Sequence, residues 1–253
     1  MPAAEKKPES APVWLELTAA DPDRAAAFYG AVLGTTLGEP HGGMRTFEHP
    51  GGTIGLLVPA APGDATGWLV YLLASDVDDS VRDATAVGGE VLVPVTTASS
   101  AGRYAVLRDP SGARVGLFEP WELPGVAVEG EPGAPGWYEL HATSGYDAAV
   151  RFYEEGLDWA ISVLGDSDGF RMVTYGQGDT AVAGIYDGSV SEAGHPSAWQ
   201  VYFQVGDVDA ALPVVVAHGG TVLDGPSDTP FGRMAHVLDP EGAPIALFVP
   251  PAA

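Results

Sequence analysis

His141 and Glu139 stand two residues apart in a stretch, residues 137–141, whose composition reads as a β-strand. Side chains two apart on a strand share a face, so an imidazole and a carboxyl are set side by side. Imidazole titrates near neutrality, and a carboxyl shut away from water has its pKa raised, so the two can pass a proton. In the first half of the chain, Glu16 and Tyr71 offer the same chemistry with a phenol in place of the imidazole. Each of these residues also has a plainer reading. A lone histidine serves more often as a satisfied hydrogen-bonder, Glu16 and Glu139 read equally well as ion-paired, and a strand tyrosine packs and makes one bond. Cysteine is absent, which excludes thiolate nucleophiles, thiolate-bound zinc and disulfides. Neither His-x-His nor His-Glu-x-x-His occurs.

The elements that must carry these residues are written twice. Residues 70–81 (VYLLASDVDDSV) return as 201–212 (VYFQVGDVDAAL), and 103–120 (RYAVLRDPSGARVGLFEP) as 233–250 (RMAHVLDPEGAPIALFVP). Trp14-x-Glu16-Leu17, followed by Phe28-Tyr29, returns as Trp137-x-Glu139-Leu140 followed by Phe152-Tyr153. Within the first half, residues 54–59 (IGLLVP) already echo 115–120 (VGLFEP). Such nesting implies four small units that share cores, because the smallest is too short to fold alone. Each reads as a strand, a helix and several strands. Asp21-Pro22 opens a helix to about residue 33, and a helix over 77–87 stops at Gly88-Gly89. Asp109-Pro110-Ser111-Gly112 makes a turn, and the paired Asp-Val-Asp segments at 76–78 and 207–209 read as helix N-terminal carboxylates. Arg103 and Arg233 read as structural partners of acidic loops.

At 253 residues the chain has room for two domains. The division expected is a flexible tail at 1–11, a first domain at 12–120, a Pro/Gly-rich linker at 121–136 and a second domain at 137–253. With 46% hydrophobic and 18% charged residues the composition is that of a folded globular chain. Eleven basic residues against 34 acidic ones give a formal charge of −23, which repels phosphate backbones and anionic lipid. Nucleic-acid and membrane partners are therefore not expected. No run approaches a membrane span and the N-terminus lacks an apolar signal core, so a cytoplasmic location is expected.

Taken in order and spacing, these motifs resemble the glyoxalase/bleomycin-resistance/extradiol-dioxygenase group, the vicinal oxygen chelate superfamily. The resemblance runs from Val13 to Pro250 and is strongest from Trp199 through Asp207-Val208-Asp209 and Gly219-Gly220 to Asp239-Pro240-x-Gly242-Ala243. It implies an α+β fold of four βαβββ units, forming two tandem domains with curved antiparallel sheets. Metal-dependent members of the family draw ligands from the first and last strands of the units. By motif those positions fall at Trp14, Leu69, Trp137 and Gln200, and at Gly55, Gly116, Ala183 and Ala246. Only Gln200 among them offers a donor atom, because an indole N–H has no lone pair to give. No metal and no cofactor is expected.

Strand alternation turns these anchors into a set of ligand-facing residues: Trp14, Trp137, Gln200, Tyr202, Gln204, Phe118 and Phe248 for binding, and Glu139, His141, Glu16 and Tyr71 for proton transfer. Glu119 falls on the opposite face by the same parity. The first function this supports is metal-independent binding of an aromatic or polycyclic small molecule, of the sequestering type. The alternative is a metal-free lyase, isomerase or cyclase using the Glu, His and Tyr groups; a metal-dependent glyoxalase or dioxygenase is a third reading that the ligand positions oppose. The expected assembly is a monomer with pseudo-dimeric halves, or a homodimer.

Overall fold

The computed structural model describes residues 7–192 and 194–251. The first half runs β1 (Pro12–Ala19), α1 (Pro22–Leu33), β2 (Thr36–Leu37), β3 (Arg45–His49), β4 (Gly52–Pro59), β5 (Gly67–Leu73), α2 (Val77–Ala86), β6 (Glu90–Ala98), β7 (Gly102–Arg108) and β8 (Arg114–Pro120). The second repeats it as β9 (Pro135–Ala142), α3 (Tyr146–Arg151), β10 (Ile161–Ser167), β11 (Phe170–Tyr175), β12 (Ala183–Asp187), β13 (Ala198–Gln204), α4 (Val208–Ala217), β14 (Thr221–Thr229), β15 (Gly232–Leu238) and β16 (Pro244–Val249). Helix α3 continues as a π-helical turn over Phe152–Gly156. Two eight-stranded sheets result, in the orders β2-β3-β4-β1-β5-β8-β7-β6 and β10-β11-β12-β9-β13-β16-β15-β14. The identical order is the four-fold βαβββ architecture that the repeats imply.

By spatial contact the chain forms two compact units. One combines the N-terminal segment through Trp14 with Val70–Gly125 and Glu139–Trp199; the other combines Leu15–Leu69, Val126–Tyr138 and Gln200 onward. Each unit thus draws strands and helices from both halves of the sequence. The repeated motifs are what bind these contributions within a unit. In the first unit the Tyr153 hydroxyl donates to Asp109 Oδ2 at 2.9 Å and accepts from Trp199 Nε1 at 2.9 Å. In the second, Tyr29 donates to Asp239 Oδ2 at 2.9 Å and accepts from Trp68 Nε1 at 2.8 Å. The aspartates head the Asp-Pro-x-Gly turns, whose N–H groups they also accept: Ser111 and Ala113 on Asp109, Glu241 and Ala243 on Asp239. Burial pushes both carboxyls above their ordinary range, against the pull of these bonds.

The phenylalanine beside each tyrosine explains the glycine pairs. Gly88 and Gly219 end their helices at positive φ, +102° and +85°. Their neighbours Gly89 and Gly220 admit a ring: an added Cβ would lie 2.8 Å from Phe152 and 2.7 Å from Phe28. Phe-Tyr, Gly-Gly, Asp-Pro-x-Gly and the strand tryptophan are therefore one packed device, built once per unit. Helix capping follows the sequence reading, with Asp21, Asp76 and Asp207 accepting N–H bonds at the starts of α1, α2 and α4. Arg103 is tied to Asp78 and Glu119, and Arg233 to Asp209 and Asp228, both structural pairings.

Two expectations need correcting. Of the flexible tail, residues 1–6 lie outside the described residues, but Ser10 and Ala11 are buried, and Ser10 N–H bonds Leu73 O at 2.9 Å. The register of two strands is also shifted by one. Glu16 pairs with Leu56 on β4, so Gly55 stands beside Leu15 on the opposite face from Trp14 and Glu16. Glu139 likewise pairs with Gly184, which places Ala183 on the other face. A one-residue slip exchanges the faces of a strand. The echo of IGLLVP in VGLFEP is thus a likeness of composition that falls out of phase with the pleat. On β8 and β16 the register holds, with Tyr71 opposite Gly116 and Tyr202 opposite Ala246.

Candidate functional site

In the first unit, β9 projects Glu139 and His141 from one face, as alternation requires. Their side chains meet, His141 Nε2 lying 3.1 Å from Glu139 Oε1. A third residue completes the arrangement. Glu192, from the connection between β12 and β13, brings Oε1 within 2.6 Å of His141 Nδ1. The imidazole is thus held between two carboxylates, one on each ring nitrogen. Tyr186, paired with His141 across β12, sets its ring edge-on at 5.4 Å, and its hydroxyl lies 3.0 Å from Ser191 Oγ. Backbone bonds carry the chain leaving β12 back to β9: Gly188 N–H to Ala142 O at 3.0 Å and Glu192 N–H to Gly188 O at 2.9 Å. Thr143 adds a bond from its hydroxyl to His195 O at 2.6 Å.

Both His141 and Glu139 are buried. Burial alone would push the imidazole towards its neutral form, but the bonds and charges of Glu139 and Glu192 outweigh it and raise the His141 pKa to about 9. At neutral pH the site is therefore an imidazolium clamped by two carboxylates. Such a group donates from both nitrogens. The corresponding residues of β1 are Glu16, half-buried, and Thr18, buried, so the cluster belongs to the second repeat alone. Tyr71 is buried, and its ring lies over Gly116, where an added Cβ would fall 2.1 Å from Tyr71 Cδ1. Tyr104 and Phe118 flank that ring at 6.1 and 6.4 Å. Tyr71 therefore fills the place where a last-strand ligand would project. Trp14 is buried as well.

In the second unit, Tyr202, Ala246 and His236 form one row across β13, β16 and β15. His236 Nδ1 approaches Gln200 Oε1 at 3.3 Å, and the Tyr202 ring stands edge-on to His236 at 5.8 Å. Gln204 pairs with Phe248, whose ring closes over Gly136. Trp137 is partly exposed on β9.

Of the residues singled out in the sequence, the structure brings Glu139 against His141 and sets Gln200 and Tyr202 beside His236; Glu192, Tyr186 and His236 are not among those candidates. Parity gives Tyr186 once β9 and β12 are paired. Nothing local marks Glu192, an acidic residue in an irregular connection of an acidic chain. Among the described residues no group of three or more His, Cys, Asp or Glu side chains is placed to hold a metal ion. Glu139, His141 and Glu192 do not converge on a point, since the carboxylates take opposite sides of the ring.

Comparison with known proteins places these features in context. Residues 140–247 match the family described as the glyoxalase/bleomycin resistance protein/dioxygenase superfamily, and residues 14–118 match the glyoxalase-like domain. The anthracycline biosynthesis protein DnrV of Streptomyces peucetius is 35% identical over 252 residues, covering 92% of this chain and 90% of its own. The putative glyoxylase CFP32 of Mycobacterium tuberculosis is 32% identical over 264 residues, covering 99% and 98%. Among solved structures, the Mn(II)-bound glyoxalase from Novosphingobium aromaticivorans superposes with a TM-score of 0.66 at 19% identity, over 94% of this chain and 82% of that one. The 2,3-dioxygenase LapB from Pseudomonas sp. KL28 gives 0.66 at 16% identity, over 96% and 95%. These two likenesses are of fold.

Proposed function

The chain belongs to the glyoxalase/bleomycin resistance protein/dioxygenase superfamily, and from that premise we propose that it is a metal-independent protein that holds an aromatic or polycyclic small molecule. The observation that carries this reading is the chemistry of the positions facing the family's ligand site. On the corrected register the last-strand positions hold Ile54 and Leu56 on β4, Gly116 under the Tyr71 ring on β8, Gly184 and Tyr186 on β12, and Ala246 on β16, while on the first strands His141 is engaged by Glu139 and Glu192, and Gln200 by His236. Aliphatic side chains offer a metal nothing, and a phenol opposite an engaged histidine is a poor substitute. The residues present do not fit a divalent cation, so no step is routed through one. Of the large flat rings named for binding, Trp137 and Phe248 are partly exposed and suit contact with a planar organic molecule, whereas Trp14 and Phe118 are buried. The relatives named for anthracycline biosynthesis point to the same ligand class.

One observation favours the second reading, a metal-free lyase, isomerase or cyclase. The Glu139–His141–Glu192 cluster is a buried acid flanked by two bases, able to give a proton at one nitrogen and be restored at the other. In that reaction Glu139 takes a proton from the substrate, His141 gives one to it from Nδ1, and protonated Glu139 restores the imidazolium through Nε2. Titration with a hydroxyanthraquinone, followed by tryptophan quenching, tests binding: a saturable site is expected, and the absence of any saturable quenching overturns the proposal. Product analysis with Glu139→Gln then separates the readings. An enzyme keeps its affinity and loses product in the variant, whereas a sequestering protein returns the ligand unchanged in both.

A further inference from the structure

The two carboxylates on His141 are not equivalent, and the difference bears on what the site recognises. Glu139 sits on the same strand, two residues away, with its side chain 10% exposed; its geometry is that of β9 itself. Glu192 comes from outside any strand, and its side chain is 30% exposed, three times as much as that of Glu139. Its side chain thus supplies a carboxylate oxygen to Nδ1 of a deeply buried ring.

We propose that His141 is an oxyanion-recognition residue, with Glu192 occupying the place of an ionised oxygen on the ligand: a carboxylate, phenolate or enolate carried by the aromatic molecule. The inference rests on the small-molecule reading above and names the ligand class within it. Charge accounting supports the exchange. Glu139 and a protonated His141 form a neutral pair, and Glu192 brings the cluster to a net −1. An external anion added beside Glu192 would bring it to −2, whereas one that replaces Glu192 leaves it at −1. An imidazolium N–H is a strong, charge-assisted donor, so an anion taking the place of Glu192 would outcompete a neutral acceptor there. The chain's formal charge of −23 opposes anions at long range, but beyond about 8 Å that field is screened at physiological salt.

The test compares two planar probes of equal size, anthraquinone-2-carboxylate and anthraquinone-2-carboxamide, titrated into the intact protein and into Glu192→Gln at pH 7. With its surrogate removed, the variant is expected to bind the carboxylate at least about tenfold more tightly and the carboxamide unchanged, the effect of one charge-assisted bond. Replacing His141 by Gln in either background should abolish the preference. Glu192→Ala serves as the second variant, and the His141 ring 15N resonances as the second measurement. They should move with the carboxylate and not with the carboxamide. Equal responses to both probes, or weaker carboxylate binding in Glu192→Gln and Glu192→Ala, overturn the inference while leaving small-molecule binding intact. If neither probe binds any of these proteins, the small-molecule reading falls, and the inference with it.

Discussion

An imidazole between two carboxylates titrates as part of a cluster, and that fixes how the residue should behave. His141 is raised to about 9 from an unfolded value near 6.5. Its stabilising contribution is therefore fully present below pH 6.5 and lost as pH rises through 9, a loss of order 3 kcal/mol. Urea midpoints measured across that window should fall, and the fall should shrink in Glu139→Gln, where one counter-charge is gone. The ring resonances of His141 should report a protonated imidazole at pH 7.5; a neutral ring there would contradict the cluster as described. How legible this site was in the sequence depended on distance along the chain. Glu139 and His141 share a strand, and period-two alternation puts them together without further information. Glu192 is 51 residues away in a connection with no periodicity, and only the folded chain brings it in.

Strands and turns give their own predictions. Tyr71 covers Gly116 so closely that Gly116→Ala must displace the ring, at a cost of about 1–3 kcal/mol in chemical denaturation. Tyr29→Phe and Tyr153→Phe should each cost about 1–3 kcal/mol, because each strips an acceptor from a tryptophan N–H and a donor from a buried aspartate. Variants that unfold at the midpoint of the parent would show these bonds to be incidental. Most of the elements could be read from their motifs because the local signals agree: an aspartate cap, a glycine stop and alternating apolar residues. The misplacement of Gly55 and Ala183 has a physical origin. Apolar strands with a central glycine look alike whichever face the glycine takes, and the face is settled by pairing with β1 or β9, which no single strand encodes.

At the scale of the whole chain, repetition announced the architecture, but not which repeats would pack together. Tyr29 finds its aspartate 210 residues on, and Tyr153 finds its own 44 residues back, so each compact unit is completed by the opposite half of the sequence. Cutting the chain within residues 121–136 should therefore leave two fragments that fold poorly alone and co-purify when expressed together. A stable monomer from either fragment would contradict this. Whether the protein holds an aromatic molecule without a metal is decided by calorimetric titration of the chelator-treated protein with a planar hydroxyanthraquinone, beside samples reloaded with manganese, iron, nickel or zinc. One saturable site with the same dissociation constant in every sample is expected. Binding that disappears with the chelator and returns with one of the metals would contradict it.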